Sequence, residues 1–270
     1  MARFVNLSRK PFYMRTLIKG VAVASLVVTS GLADASSLLW QDNSLTYLYG
    51  KNFEVDPPIQ QAVTFEHVSG WSFGDLFAFV DSIHYNGAKD AAGNNSTWYG
   101  EIAPRLSYSK LSGQQISFGP ITDVLLAGTY ERGRGDIKNY LLGPGFDLAV
   151  PGFDYLQLNT YYRHSDSPKD VRSSWQITPV WGITLPAGRS DILIDGYMDW
   201  IVDNDGDGKQ ANLHFNPQIK YDLGKALGWK AKQLYTGVEY SYWKNKYGIK
   251  DTSAFDTNQN VTNLLVKVHF

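Results

Sequence analysis

No cysteine occurs in the 270 residues, so neither a disulfide framework nor a thiolate-held metal is open to this chain. Charge of one sign is also lacking: 25 Lys and Arg stand against 26 Asp and Glu, for a formal net charge of −1. The basic residues are dispersed, and without a clustered basic face a protein cannot displace counterions from phosphates, so no nucleic-acid partner is expected. Long apolar runs are scarce as well, and the mean hydropathy of −0.27 is that of a water-soluble protein. The stretch that stands out, Val21 to Val28, falls well short of the ~20 residues that a membrane helix needs. It follows Arg3, Arg9, Lys10, Arg15 and Lys19 and precedes Ala33-Asp34-Ala35, a small-x-small cleavage site. Residues 1–35 therefore read as a secretory signal peptide, with the mature chain starting at Ser36.

What the chain does have is aromatic residues, 14% of the total, and alternation. A transmembrane strand needs apolar side chains only at every second position, so a bilayer-spanning barrel keeps a hydrophilic average. In 97–108, Trp98, Ile102, Leu106 and Tyr108 share one face while Glu101 and Arg105 share the other. The segment 191–203 sets Ile192, Ile194, Met198, Trp200 and Val202 against Asp195, Tyr197, Asp199 and Asp203. Along 209–221, Ala211, Leu213, Phe215, Ile219 and Tyr221 oppose Asn212, His214, Asn216, Gln218 and Lys220. Soluble strands average about 5 or 6 residues, whereas several of these reach the length of a tilted bilayer crossing.

Twelve strands are predicted, at 38–50, 60–69, 72–83, 97–108, 116–130, 138–150, 154–164, 171–184, 190–203, 209–221, 232–245 and 261–270. An even number puts both termini on the periplasmic side of an outer membrane. Connections alternate between tight ones, at 69–71, 150–153 and 185–189, and long polar ones, at 84–96 and 246–260; the connection 222–231 is long for its side. The last segment ends in a terminal aromatic, with Leu264, Val266, Val268 and Phe270 on one face and Asn263, Lys267 and His269 on the other. Such an ending resembles the signal by which outer-membrane proteins reach the barrel-insertion machinery. The fold class expected is an all-β, 12-stranded antiparallel transmembrane β-barrel over residues 36–270. A closed barrel of this kind leaves no edge and needs no partner, so a monomer is expected.

The segment 103–120, with Arg105, Ser107, Lys110, Leu111, Ser117, Phe118, Gly119 and Pro120, resembles the strand-turn-strand signature of the nucleoside-specific channel-forming (Tsx-like) outer-membrane family. Phe73-Gly-Asp-Leu-Phe-Ala-Phe-Val-Asp81 is similar to that family's third strand. The resemblance implies a monomeric twelve-stranded barrel that admits nucleosides, with some members serving as receptors for phages or colicins. A barrel acting mainly as such a surface receptor is the alternative function.

If the polar faces point inward, Asp75, Asp81, Glu101, Asp123, Glu131, Asp147, Asp195, Asp199 and Glu239 line the pore against Arg105, Arg163, Arg172, Lys220 and Lys267. A mixed lining favours no single sign of ion and suits a neutral solute rich in hydrogen-bonding groups. The same parity places Phe77, Phe79, Tyr99, Tyr155, Tyr161, Tyr197, Tyr235 and Trp243 inside. Rings there can stack on nucleobases while carboxylates accept from ribose hydroxyls. The expected solute contacts are Asp75, Phe77, Phe79, Asp81, Tyr99, Glu101, Arg105, Tyr197 and Asp199. The turn 203–208 has half of a calcium-loop pattern, but position twelve of that frame is His214 instead of Glu, so an acidic turn is expected and no metal or cofactor. His164 and Ser165 point to opposite faces of a strand, which argues against hydrolytic activity.

Overall fold

The computed structural model describes residues 37–167, 170–202 and 209–270. The expected leader over 1–35 and the acidic turn 203–208 lie outside the described residues. Twelve strands form one closed antiparallel ring: β1 (Leu38–Lys51), β2 (Ile59–Trp71), β3 (Gly74–Tyr85), β4 (Ser96–Ser107), β5 (Ile121–Gly133), β6 (Lys138–Leu148), β7 (Tyr155–Ser167), β8 (Asp170–Ala187), β9 (Ser190–Ile201), β10 (Asn212–Asp222), β11 (Leu234–Lys244) and β12 (Gln259–His269). Each pairs with its sequence neighbours, and β1 pairs with β12 from Ser44↔His269 to Tyr49↔Leu264. No helix among the described residues is long and apolar enough to cross a membrane.

Alternation decides what faces where. Leu264 (65% exposed), Val266 and Val268 project outward from β12, whereas Asn263 and Lys267 are buried inside. On β4, Trp98, Ile102 and Leu106 are exposed while Arg105 and Ser107 are buried. The molecule is thus inverted relative to a soluble protein: its buried side chains are mainly polar, and its large apolar ones lie on the outside. Ala127, Leu141 and Tyr161 form a small buried apolar cluster, and Leu125, Val261 and Leu265 are buried as well.

Strand five differs from expectation. It begins at Ile121, not at 116, because Tyr108–Ser112 forms a short helix, α1. The Ser107 hydroxyl caps it by accepting from the Lys110 N–H, and Gly113, at φ 71°, ends it in the left-handed region that favours glycine. The segment 103–120 is therefore strand, helix and loop instead of strand, turn and strand. With 108–120 and 223–233, which carries the helix α2 (Leu223–Ala226), two of the five connections at the termini end are long. Trp71 belongs to β2, so the tight turn there is 72–73.

Four prolines interrupt the wall in a regular way. Pro104, Pro144, Pro179 and Pro217 lie inside β4, β6, β8 and β10, where the missing N–H removes a ladder donor. Each stays in register with the preceding strand, opposite Leu76, Leu126, Leu158 and Gly196. On the side of the following strand pairing lapses, between Ile102 and Arg105, Leu142 and Gly145, Ile177 and Val180, and Phe215 and Gln218, and then resumes in unchanged register. Beside one gap, a Cβ on Gly143 would stand 2.0 Å from the Thr160 carbonyl oxygen. Only glycine fits that approach. Gly143→Val is expected to cost about 3 kcal/mol by overpacking, read as a lower urea midpoint for the barrel refolded in lipid vesicles.

Candidate lumenal site

The ring encloses a cavity of about 730 Å³ that reaches from the long-loop end into the middle of the barrel. Near the long loops its wall holds Phe53, Asp56, Tyr85, Lys246 and Tyr247; deeper, it holds Glu66, Phe79, Asp81, Glu101, Gln218 and Glu239. These positions follow from inward parity on tilted strands, which brings residues far apart in sequence to one height.

One wall of the cavity is built by β3 and β4. Phe79 lies 5.7 Å from Phe77 and 5.9 Å from Tyr99, centroid to centroid. Asp81 accepts from the Thr64 hydroxyl at 2.5 Å, and Glu101 accepts from the Tyr99 hydroxyl at 2.7 Å. The wall built by β9, β10 and β11 stands across from it, four to six strands away around a ring of twelve. There His214 stacks on Trp243 at 4.0 Å and 10°, and Tyr197 meets the His214 ring edge-on at 5.4 Å. Asp199 accepts from Thr178 at 2.7 Å and from Gln176 at 3.0 Å. Glu239 is held by Gln218 at 2.9 Å and Asn263 at 3.0 Å. Neutral donors thus fix these carboxylates in place, and each carboxylate keeps acceptor capacity to spare.

Ion pairs occupy much of the rest of the interior, and Glu66, Glu131 and Arg163 among them also border the cavity. Arg163 grips Glu131 through both terminal guanidinium nitrogens, one at 2.6 Å, and also donates to Gln176 at 3.0 Å. Asn139 supplies Glu131 with a further bond at 2.6 Å. Lys267 pairs with Glu66, which also accepts from Ser44 at 3.1 Å. Lys220 reaches Asp195 at 2.7 Å. Arg105 binds Asp75 at 2.7 and 2.8 Å and Asp147 at 2.9 Å.

Of the nine expected contacts, Phe79, Asp81, Tyr99, Glu101, Tyr197 and Asp199 border the cavity. Asp75 and Arg105 are consumed in their own triad, and Phe77 backs Phe79. Among the other aromatic residues expected inside, Trp243 borders the cavity. Tyr161 is buried with Leu141, Tyr235 packs edge-on to His269, and Tyr155 lies across Gly182. Asp123 caps the connection after β4, accepting from Ser107 and from the Ser109 N–H at 3.1 Å. Glu66, Tyr85 and the loop residues Phe53, Asp56, Lys246 and Tyr247 line the cavity without having been picked out in the sequence. Glu66 shares the inward parity of Gln60 and Thr64, so extending the alternation to β2 would have found it. His214 was placed inward, but nothing in the sequence tells that it stacks on Trp243.

The sequence profile of the family described as "Nucleoside-specific channel-forming protein, Tsx" matches residues 35–269. The chain belongs to this family. Outer membrane protein OmpK of Vibrio parahaemolyticus is 26% identical over 191 residues, 68% of this chain and 68% of that protein. The nucleoside-specific channel-forming protein Tsx of Klebsiella aerogenes is 24% identical over 201 residues, 63% of this chain and 68% of that protein. Among solved structures, the KdgM porin superposes with a TM-score of 0.47 at 12% identity, covering 84% of this chain and 99% of that one. As a Tsx-family barrel, the protein resides in the outer membrane and is built as a channel for small solutes.

Arg163 stands among Glu131, Glu101 and Asp199. Removing it leaves Glu131, only 4% exposed, without its cation. Arg163→Met is expected to destabilise the folded barrel by about 3 kcal/mol, with Glu131→Leu in the same chain restoring most of the loss, because breaking a buried pair costs more than replacing both partners. Unfolding of the single and double variants in detergent checks this.

Proposed function

We propose that this barrel lets nucleosides diffuse through its lumen, and that the end carrying the termini faces the periplasm. The observation that carries the reading is the pair of aromatic walls facing one another across the cavity, Phe79 with Tyr99 on one side and Trp243 with His214 on the other, each flanked by carboxylates. A nucleoside has one flat apolar face and one hydroxylated ring. The base stacks on an aromatic side chain whatever its identity, and the sugar hydroxyls donate to Asp81, Glu101, Asp199 or Glu239, whose existing donors are neutral. Membership of the Tsx family, and the name of the Klebsiella relative, support the same solute class.

On this reading residues 1–35 are a cleaved leader, Phe270 carries the insertion signal, and the barrel works as a monomer without cofactor. It also works without catalysis. His164 Nδ1 lies 3.1 Å from the Ser173 hydroxyl, not from Ser165, which borders the cavity instead. Among the described residues no other side chain is hydrogen-bonded to His164. A hydrolytic base lacking an orienting group is poorly placed to act.

The test is single-channel recording in a planar bilayer: conductance falls on addition of adenosine and stays unchanged with a hexose. Phe79→Ala and Trp243→Ala are each expected to weaken the adenosine block roughly tenfold, in line with ~1–3 kcal/mol per stacked base. A block left intact in Phe77→Ala and Phe79→Ala removes the β3 rings from the site.

A further inference from the structure

The seam between β1 and β12 has only six registered pairs and stops at Tyr49↔Leu264. Beyond that point Gln259 to Asn263 pair with β11 alone. There the Asn263 carboxamide crosses Gly50, where a Cβ would meet its oxygen at 1.8 Å. The long-loop end of the closing seam therefore lacks a backbone ladder. Lys246 stands in its place.

Lys246 sits on a short 3₁₀ turn, Lys246–Gly248, in the connection 245–258 after β11, and it is 3% exposed. Its ammonium has three N–H groups and three oxygen acceptors. It donates to the Glu54 carbonyl at 2.9 Å and to Gln259 Oε1 at 2.7 Å, and it pairs with Asp56 Oδ2 at 2.8 Å. Glu54 and Asp56 belong to the connection 52–58 after β1, some 190 residues earlier in the chain (192 for Glu54). The same nitrogen stands 5.0 Å from the centre of the Tyr247 ring and 5.9 Å from that of Phe53. Tyr247 also donates its hydroxyl to Asp56 at 2.8 Å and packs edge-on to Trp243 at 5.5 Å. Burial lowers the basicity of this lysine, and Asp56 opposes that effect.

A second, independent feature marks the same place. Six non-glycine residues among those described have left-handed backbones, and four of them are Asn52, Val55, Asn245 and Tyr247. A β-branched residue at φ 70° is a genuine outlier. Such conformations persist only where surrounding contacts over-determine them, and they cluster at clamps and switch regions.

We propose that Lys246 is the pin of a latch between the first and last long loops, which holds Phe53 and Tyr247 across the outer mouth and so sets what enters the lumen. Lys246 acts through these rings and is a positioning residue. The inference rests on the channel reading for its consequence, not for its geometry.

In planar bilayers with KCl and no nucleoside, Lys246→Met is expected to raise conductance roughly twofold, since a pore's narrowest section dominates its resistance. Asp56→Ala, which cuts the clamp from the other loop and leaves Lys246 and both rings in place, is expected to raise it as well, whereas Lys246→Arg, which keeps a cation with several N–H donors there, stays near the wild-type level. A lysine that only stabilises the fold would leave the conductance of an inserted Asp56→Ala barrel unchanged. Wild-type conductance in Lys246→Met or in Asp56→Ala overturns the latch. Should Lys246→Met fail to insert, Asp56→Ala must show more brief openings than the wild type; equal noise overturns the latch too. A variant that conducts more while adenosine blocks neither protein sinks the nucleoside reading and leaves the latch standing. A wild-type barrel that passes no current sinks both.

Discussion

Six residue pairs join β1 to β12, and the remaining architecture depends on the closure they make. Hydrocarbon offers nothing to an unpaired N–H or C=O, so a sheet in a bilayer is stable only when its two edges satisfy each other. Closure then divides every strand between two solvents. Alternate residues of one strand meet lipid and water, which is why Val266 and Lys267 can be neighbours. The closing ladder is nevertheless the shortest in the ring, and side chains complete what backbone leaves open at its long-loop end. Lys246, Gln259 and Asp56 perform there the joining that amides perform elsewhere.

Inside the ring the controlling problem is charge. Buried ionic groups are costly unless paired, and the interior answers in two ways. Toward the termini end, cations and carboxylates consume one another, as Arg105 does with Asp75 and Asp147. At the cavity, where the Arg163–Glu131 pair and the Glu66 of the Lys267 pair also reach the wall, Asp81, Glu101 and Glu239 are held by a hydroxyl or an amide instead. The first arrangement stiffens the wall. The second leaves lone pairs facing the space through which a solute would travel, next to rings that offer it a flat surface.

Much of this was legible before any coordinates. Period-two alternation identified all twelve strands, because a bilayer forces long segments with strict faces, and it placed Asp81, Glu101, Tyr197 and Asp199 inside. The helix at 108–112 was not legible: Tyr108 continues the outward parity of Leu106, and only the Ser107 cap and Gly113 betray the change. Nor could parity say which interior charges would meet. Arg163 finds Glu131 32 residues away and Lys267 finds Glu66 201 residues away, separations set by strand tilt and register around the ring. Asp75 and Arg105 were therefore assigned to solute contact, when each already had its partner.

The four prolines carry an implication for assembly. A barrel protein must travel to its membrane as a chain rich in sticky strands, and any hairpin with a full row of donors can recruit the wrong neighbour. Pro104, Pro144, Pro179 and Pro217 each spoil the leading edge that the next strand will occupy, and leave the trailing edge whole. A stray segment arriving at such an edge gains an incomplete zipper, whereas the native successor, tethered in the same chain and matched in its faces, tolerates the missing rung. Discrimination against misassembly is thus written into the same strands that later form the wall.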